Sequence, residues 1–348
     1  MNILLGKIGQ KIIFNRDSKD CDRSNTNGNV GTYLLFKLLI ENNEDYTFFV
    51  ASDNDLFTFD VNPFKNVVDV SLFDHEYINK LNIDVMIVLT GLTQFEKDNR
   101  FIDILNNVDA KLMLLSDDPR CLDSVSDDER ITRKPDLIIS QFDGVYNFKG
   151  TDYHVKYEPI ERASCYKCDI FDSEKEIDMV IVSNTSGKEY DRVKIVSEII
   201  GDTSGLDIYG RLSDDERVML GEDNCRGEIK YTEMQKVFRK AYSTFVVPIK
   251  KGWVTSKYVE SLMNGVLPIF HEDYNTELLE ANDLIIVRNK DEFADALDVV
   301  KYDKQKVKEL VRKMTDVLIK PYVSGARLSY ILMCYACLLK YREEEVKR

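Results

Sequence analysis

Short apolar runs of strand length recur along the chain, separated by segments of helical period. In the first half they are MNILL (1–5), YTFFVA (46–51), IDVMIVL (83–89), KLMLL (111–115) and DLIIS (136–140). In the second half they are MVIV (179–182), LDIYG (206–210), STFVVPI (243–249), VLPIF (266–270) and LIIVR (284–288). Runs this short and this continuously hydrophobic fit strands covered on both faces, and their alternation with helices predicts parallel sheets. The pattern therefore predicts two doubly wound α/β domains. The segment 156–176, KYEPIERASCYKCDIFDSEKE, has no clean period, carries Pro159 and is charged, which reads as a linker. A long helix is predicted from Arg327 to about Tyr341. By pattern alone it either crosses back to the first domain or finishes the second.

Composition supports a chain with two cores: 348 residues with 44% hydrophobic and 31% charged content describe an ordinary globular protein. The run MNILLGKIGQKIIF has Lys7 and Lys11 inside it and no small-residue cleavage site, so it reads as a first strand rather than a secretion signal. No segment has the uninterrupted apolar length of a membrane span. The expected location is cytoplasmic, with no membrane partner. Seven cysteines, an odd number, fit reduced thiols better than a disulfide framework. Two pairs, Cys165 with Cys168 and Cys334 with Cys337, could meet as a zinc site or be unrelated buried thiols. With 47 basic and 61 acidic residues the net charge is −14, the wrong sign for coating nucleic acid, though compatible with a local basic groove.

Ligands in open α/β sheets collect at the carboxyl ends of strands, so the residues just after each run carry the candidate chemistry. After MVIV, the turn Ser183, Asn184, Thr185, Ser186, Gly187 enters a helix bearing Lys188 and Arg192 on its first turns. This is either a diphosphate site built on free N–H groups and two cations or an ordinary capped helix. Lys257 and Glu260 share one face at the front of the next helix but one. They either pair with each other on the surface or receive a phosphate and a ribose diol, with Gly265 allowing a tight turn into VLPIF. After KLMLL, Asp117 and Asp118 precede Pro119, as turn formers or as a base for an acceptor hydroxyl. The long N-terminal loop carries Lys7, Lys11 and Arg16 before its first acid. CRGEIKY (225–231) can offer backbone groups from Gly227 to Ile229 to the edge of a base.

Dehydrogenase and P-loop fingerprints are absent from the sequence. The three histidines, His75, His154 and His271, lack metal-ligand spacing, and DND (53–55) reads as a polar turn rather than a metal-binding DxD.

Taken in order, these motifs resemble the GT-B sugar-nucleotide transferases, in particular the DNA β-glucosyltransferases of T-even bacteriophages. The likeness runs through TYLLFKLLIE, LLSDDPR, ISQ (139–141), YEPIE (157–161), SGKEYDRVK, GEI (227–229) and KYVESLMNGVLPIFHEDYN. It implies two Rossmann-like domains facing across a cleft: residues 1–160 for the acceptor, completed by the C-terminal helix within 325–348, and 161–324 for a UDP-sugar. It also implies that Asp117 is the catalytic base, with Asp118 exchangeable by a one-residue shift. Arg192 and Lys188 match diphosphate ligands, Glu260 a ribose-binding glutamate, and Ile229 a main-chain uracil contact. Lys257 stands where the family has arginine, which exchanges a bidentate fork for a point charge. Gly31 replaces a glutamate bordering the sugar, which opens the sugar's identity. The implied activity is inverting transfer of a hexose, glucose in the family, to 5-hydroxymethylcytosine or another hydroxymethylated pyrimidine in flipped-out phage DNA. No obligatory metal is expected, and Lys7, Lys11 and Arg16 are candidate DNA contacts on a monomeric phage protein in the infected cell. The alternatives are a GT-B enzyme acting on a lipid, protein or cell-surface polymer, and a non-catalytic nucleotide-sugar or DNA binder.

Overall fold

Each of the ten predicted apolar runs carries a strand, and a computed structural model describes residues 1–8, 30–51, 66–95, 99–165, 174–182, 191–229 and 231–346. The chain forms two compact units, Met1–Tyr166 with Ser324–Arg348, and Lys167–Val323.

The first unit contains β1 (Asn2–Lys7), α1 (Val30–Glu41), β2 (Thr47–Ala51), β3 (Val67–Asp69), α2 (His75–Asn79), β4 (Val85–Leu89), α3 (Arg100–Asn107), β5 (Lys111–Ser116), α4 (Pro119–Asp127), β6 (Leu137–Ser140), β7 (Gly144–Phe148) and β8 (Thr151–Tyr157). Its sheet runs β3-β2-β1-β4-β5-β6-β8-β7, parallel except for β7. Ile3, Leu4, Leu5 and all of β4 are buried, as expected for strands covered on both faces. The order reverses between β1 and β4, so the carboxyl ends of these strands mark the switch point where such sheets bind ligands. The β7–β8 hairpin was not predicted. Its turn is Lys149–Gly150, both with positive φ (48° and 74°), the two-residue geometry that suits the twist of antiparallel strands.

The segment read as a linker begins differently from expectation. Ile160–Cys165 forms a buried 3-10 turn packed on α1, and it belongs to the first unit.

The second unit contains β9 (Ile177–Val182), α5 (Arg192–Ile200), β10 (Asp207–Tyr209), α6 (Asp214–Leu220), β11 (Cys225–Gly227), α7 (Tyr231–Lys240), β12 (Ala241–Val246), α8 (Lys257–Met263), β13 (Leu267–His271), β14 (Ile285–Val287), α9 (Lys290–Tyr302) and α10 (Lys304–Leu318). All six strands are parallel, in the order β11-β10-β9-β12-β13-β14, with the switch point between β9 and β12.

The C-terminal helix α11 (Ala326–Val346) returns to the first unit and packs on α1, β4 and β5. Asn43 donates to Ser329 Oγ at 2.6 Å, the Tyr335 hydroxyl to Glu158 Oε1 at 2.7 Å, and Lys340 pairs with Asp84 at 3.2 Å. Of the two routes open to this helix in the sequence, the crossing route is the one taken. Cys334 and Cys337 lie on it and Cys165 in the buried turn, all as thiols; Cys168 lies outside the described residues.

Candidate active site

In the first unit the polar residues gather where apolar strands end. β4, β5 and β6 are followed or closed by Thr90, Ser116 and Ser140, all buried. Thr90 Oγ1 donates to Ser116 Oγ at 2.8 Å, and Ser140 Oγ to the Ser116 carbonyl at 2.9 Å, so the hydroxyls knit the three strand ends together. The sequence carries the signal: VLT, LLS and IIS each close an apolar run with a hydroxyl residue. Ser116 Oγ also donates to the Asp118 carbonyl at 3.0 Å, which fixes the chain through Asp117.

The two acids part company here. Asp118 is the N-cap of α4: its carboxylate accepts from the Arg120 N–H at 2.8 Å and pairs with the Arg120 guanidinium. Pro119 follows at the first helical position, where a missing N–H does no harm. Its oxygens are thus engaged with the Arg120 backbone N–H and guanidinium. Asp117 reaches solvent, yet protein atoms crowd it enough that desolvation raises its pKa above the ordinary carboxylate value. Asp118 pushes in the same direction and the positive charge of Lys7 opposes it.

Lys7 is only 5% exposed at the end of β1. Burial lowers its pKa, while the negative charge of Asp117 favours the ammonium. Lys7, expected as a DNA contact, is thus enclosed by protein in this fold. Lys11 and Arg16 lie outside the described residues. Cys121, on the first turn of α4, has its thiol pushed up to about 12 by burial and the neighbouring acids, which keeps it protonated.

In the second unit, α5 and α8 follow β9 and β12, the strands flanking the switch point. Arg192 is the first residue of α5, whose N-cap Asp191 accepts from the Lys194 N–H at 3.0 Å. Ser186, Gly187 and Lys188 lie outside the described residues. Lys257 and Glu260 do pair with each other, at 2.7 Å, but not on an open surface: Glu260 is 8% exposed. The Lys257 ammonium also lies 3.7 Å from Met234 Sδ. Met234 belongs to a core cluster with Val180, Phe238, Ala241 and Val266, against which Ile229 packs. That packing commits the Ile229 side chain to the core. The Lys257–Glu260 pair thus adjoins, through Met234, the core cluster on which Ile229 packs. Gly227 closes β11 with φ +88°, a conformation that favours glycine.

Helix α8 is held at both ends. Asn264 donates to Gln235 Oε1 at 2.5 Å and to the Glu260 carbonyl at 2.7 Å, tying α8 to α7. Gly265, at φ +67°, lets the chain reverse into β13, as expected from the sequence. In front of the helix, the hydroxyl of Tyr274, a residue 2% exposed, accepts from the Thr255 N–H and donates to the Thr255 carbonyl, both at 2.8 Å. Lys251 pairs with Asp273 at 3.0 Å, and the Gly252 N–H bonds the Asp273 carbonyl at 2.8 Å. Nothing in the sequence singled out Tyr274, because this clamp joins segments brought together only by the sheet. Tyr274→Phe leaves two buried backbone groups without their partner, and a loss of about 1–3 kcal/mol in unfolding free energy is expected, read as a lower urea midpoint with unchanged m-value. An unchanged midpoint would show that the loop before α8 is held elsewhere.

Among the described residues no group of three or more histidine, cysteine or acidic side chains could hold a metal ion. No single helix there is long and apolar enough to cross a membrane.

No family model and no curated sequence matches the chain. Solved structures do match over nearly its whole length. A DNA-modifying β-glucosyltransferase, studied with and without its substrate uridine diphosphoglucose, superposes with a TM-score of 0.66 at 15% identity, covering 97% of this chain and 99% of that one. An α-glucosyltransferase bound to UDP and a 13-mer DNA gives 0.53 at 13% identity, covering 95% and 100%. An O-GlcNAc transferase from Thermobaculum terrenum gives 0.58 at 11% identity, covering 97% of this chain and 68% of that one. What this likeness establishes is architecture: the chain has the GT-B fold, two Rossmann-like units with the C-terminal helix returned to the first.

Proposed function

We propose that this protein is an inverting glycosyltransferase that moves a sugar from a UDP-sugar to a hydroxymethylated pyrimidine in DNA. The observation that carries the reading is the set at the carboxyl edge of the second sheet. Arg192 and Lys257 open the two helices at its switch point, Glu260 is buried against Lys257, and Gly227 to Ile229 lie on the same edge. Cations there suit a diphosphate, the carboxylate suits the two hydroxyls of a ribose, and backbone groups near Ile229 suit the edge of uracil.

In this mechanism Asp117 takes the proton of the acceptor hydroxyl. The hydroxyl oxygen bonds to the anomeric carbon from the face opposite UDP, and the bond from that carbon to the diphosphate oxygen breaks. Its electron pair leaves on UDP and the configuration inverts. Arg192, Lys257 and Lys188 stabilise the charge developing on the diphosphate, a task that in principle needs no metal. A hydroxymethyl group on a stacked base is out of reach, so the base is flipped from the duplex. Lys11 and Arg16 are proposed to meet its backbone. We place this activity in a monomer in the cytoplasm of a phage-infected cell, with glucose as the sugar. Two of the similar structures are glucosyltransferases, one DNA-modifying and one bound to DNA, which supports the acceptor.

The net charge of −14 and the burial of Lys7 favour a second reading, a transferase of the same fold acting on a lipid, protein or cell-surface polymer. The test is to incubate the protein with a panel of UDP-sugars and hydroxymethylated DNA, plain DNA or detergent-solubilised lipid. Mass spectrometry of the nucleosides is expected to show a hexose adduct on hydroxymethylated DNA alone. Adducts confined to the lipid arm would support the second reading. UDP binding with no transfer and no slow donor hydrolysis would support a non-catalytic binder.

A further inference from the structure

A buried lysine needs a reason, and Lys7 stands at the switch point of the first sheet. Strand register places it level with Leu89 of β4, and Leu89 level with Leu115 of β5. Asp117 lies two residues beyond Leu115, in the bend that follows β5, so Lys7 and Asp117 stand at the same carboxyl edge of the sheet. β1 and β5 are separated by one intervening strand, about 10 Å. Between them, the Thr90 and Ser116 hydroxyls are satisfied by each other and by Asp118, and carry no charge. Among the described residues, the charged or titratable groups acting on Asp117 are Lys7 from β1 and Asp118 before α4, and those acting on Lys7 are Asp117 and Cys121 of α4. The Asp118 carboxylate is neutralised locally by Arg120, and the Cys121 thiol is neutral. Among the described residues, Lys7 is thus the positive charge that acts on Asp117.

We propose that Lys7 is a positioning residue for the proton-transfer step: its buried ammonium is the counter-charge that keeps the Asp117 carboxylate ionised and aimed at the acceptor hydroxyl. The proposal rests on the reading of Asp117 as the base. Two opposing influences act on that carboxylate: desolvation favours the protonated form, useless for removing a proton, and the positive charge of Lys7 favours the ionised form. Nothing in the sequence pattern distinguishes such a lysine from one that snorkels to the surface.

The test titrates the Asp117 carboxyl by carbon-13 NMR in the full-length protein, assigned with Asp117→Asn, and compares the unsubstituted chain with Lys7→Met. The expected result is an upward shift of the Asp117 midpoint by about 1–3 pH units, with a matching shift in the acid limb of the pH profile of kcat/KM. Lys7→Met removes the charge with a side chain of similar length, and because Asp117 reaches solvent the carboxylate left behind can be hydrated or protonated rather than stranded, so the variant is expected to fold at some cost in stability. Lys7→Gln is the second variant, with a polar end and no charge, and is expected to shift the midpoint in the same direction. An unmoved midpoint in folded Lys7→Met or Lys7→Gln overturns the proposal. The NMR titration needs no turnover, so its outcome is separate from that of the transfer assay: loss of transfer in Asp117→Asn with an unmoved midpoint rejects Lys7 alone, while a moved midpoint with transfer intact in Asp117→Asn rejects Asp117 as the base.

Discussion

Asp117→Asn is expected to lower transfer by about 10²- to 10⁴-fold while UDP binds with unchanged affinity in calorimetry. Asparagine keeps the shape of the side chain and loses only its capacity to take a proton, so the substitution separates chemistry from donor binding. The neighbouring acid supplies the control. Asp118→Ala removes the α4 cap and the partner of Arg120, and its expected effect is a stability loss of about 1 kcal/mol with transfer largely retained. If the two results were exchanged, the one-residue ambiguity in the sequence would be resolved toward Asp118. The pH profile carries a sign as well. A base must be ionised, so kcat/KM falls as pH drops through the pKa of Asp117. That pKa is raised by desolvation, so the fall is expected above the ordinary carboxylate range. Retained transfer in Asp117→Asn would remove this residue from the mechanism.

The sequence made the paired carboxylates visible but not their difference. SDDPR says that two acids precede a helix starting with proline; which one caps that helix depends on backbone geometry that both could have adopted. The same limit explains Lys7. A lysine inside GKIGQ has an ordinary look, and its burial follows from β4 pairing along β1, a contact some eighty residues away in the chain. Continuous apolar runs were legible because a strand covered on both faces needs nearly every residue to be hydrophobic. The elements that escaped lack that requirement. β3 and β11 are three residues long, at sheet edges, and the hairpin strand TDYHVKY alternates polar and apolar positions with one side exposed. The segment after it looked like a linker because Glu161 and Arg162 are charged. In the fold they are both about 5% exposed, with Tyr157 donating to Glu161 at 3.0 Å, so charge there reflects internal pairing rather than solvent. Lys257 and Glu260 were legible as a pair by spacing; that Glu260 is buried and that Lys257 lies against Met234 of α7 depend on packing that no local pattern encodes.

Burial of the Glu260 carboxylate beside Lys257 makes it the second decisive position. In the proposed complex its carboxylate turns from Lys257 to the ribose hydroxyls while the ammonium meets the diphosphate, so the ion pair keeps both groups positioned before the donor arrives. Hydrogen bonds to a charged acceptor contribute about 1.5–3 kcal/mol, so UDP is expected to bind about 10- to 100-fold more weakly to Glu260→Ala. Affinity alone would not distinguish a ribose ligand from a residue that merely steadies α8. Comparison with 2′-deoxy-UDP does: the unsubstituted protein is expected to prefer UDP by about tenfold, and Glu260→Ala to bind the two nearly equally. Lys257→Met should weaken UDP yet leave uridine unaffected, because uridine lacks the diphosphate. A purely structural ion pair predicts otherwise, since stranding either charge in a site this enclosed lowers stability and disturbs every ligand alike. Preference for the ribose over the deoxyribose that survives in Glu260→Ala would detach the carboxylate from the nucleotide and, with it, the strongest support for a UDP-sugar donor.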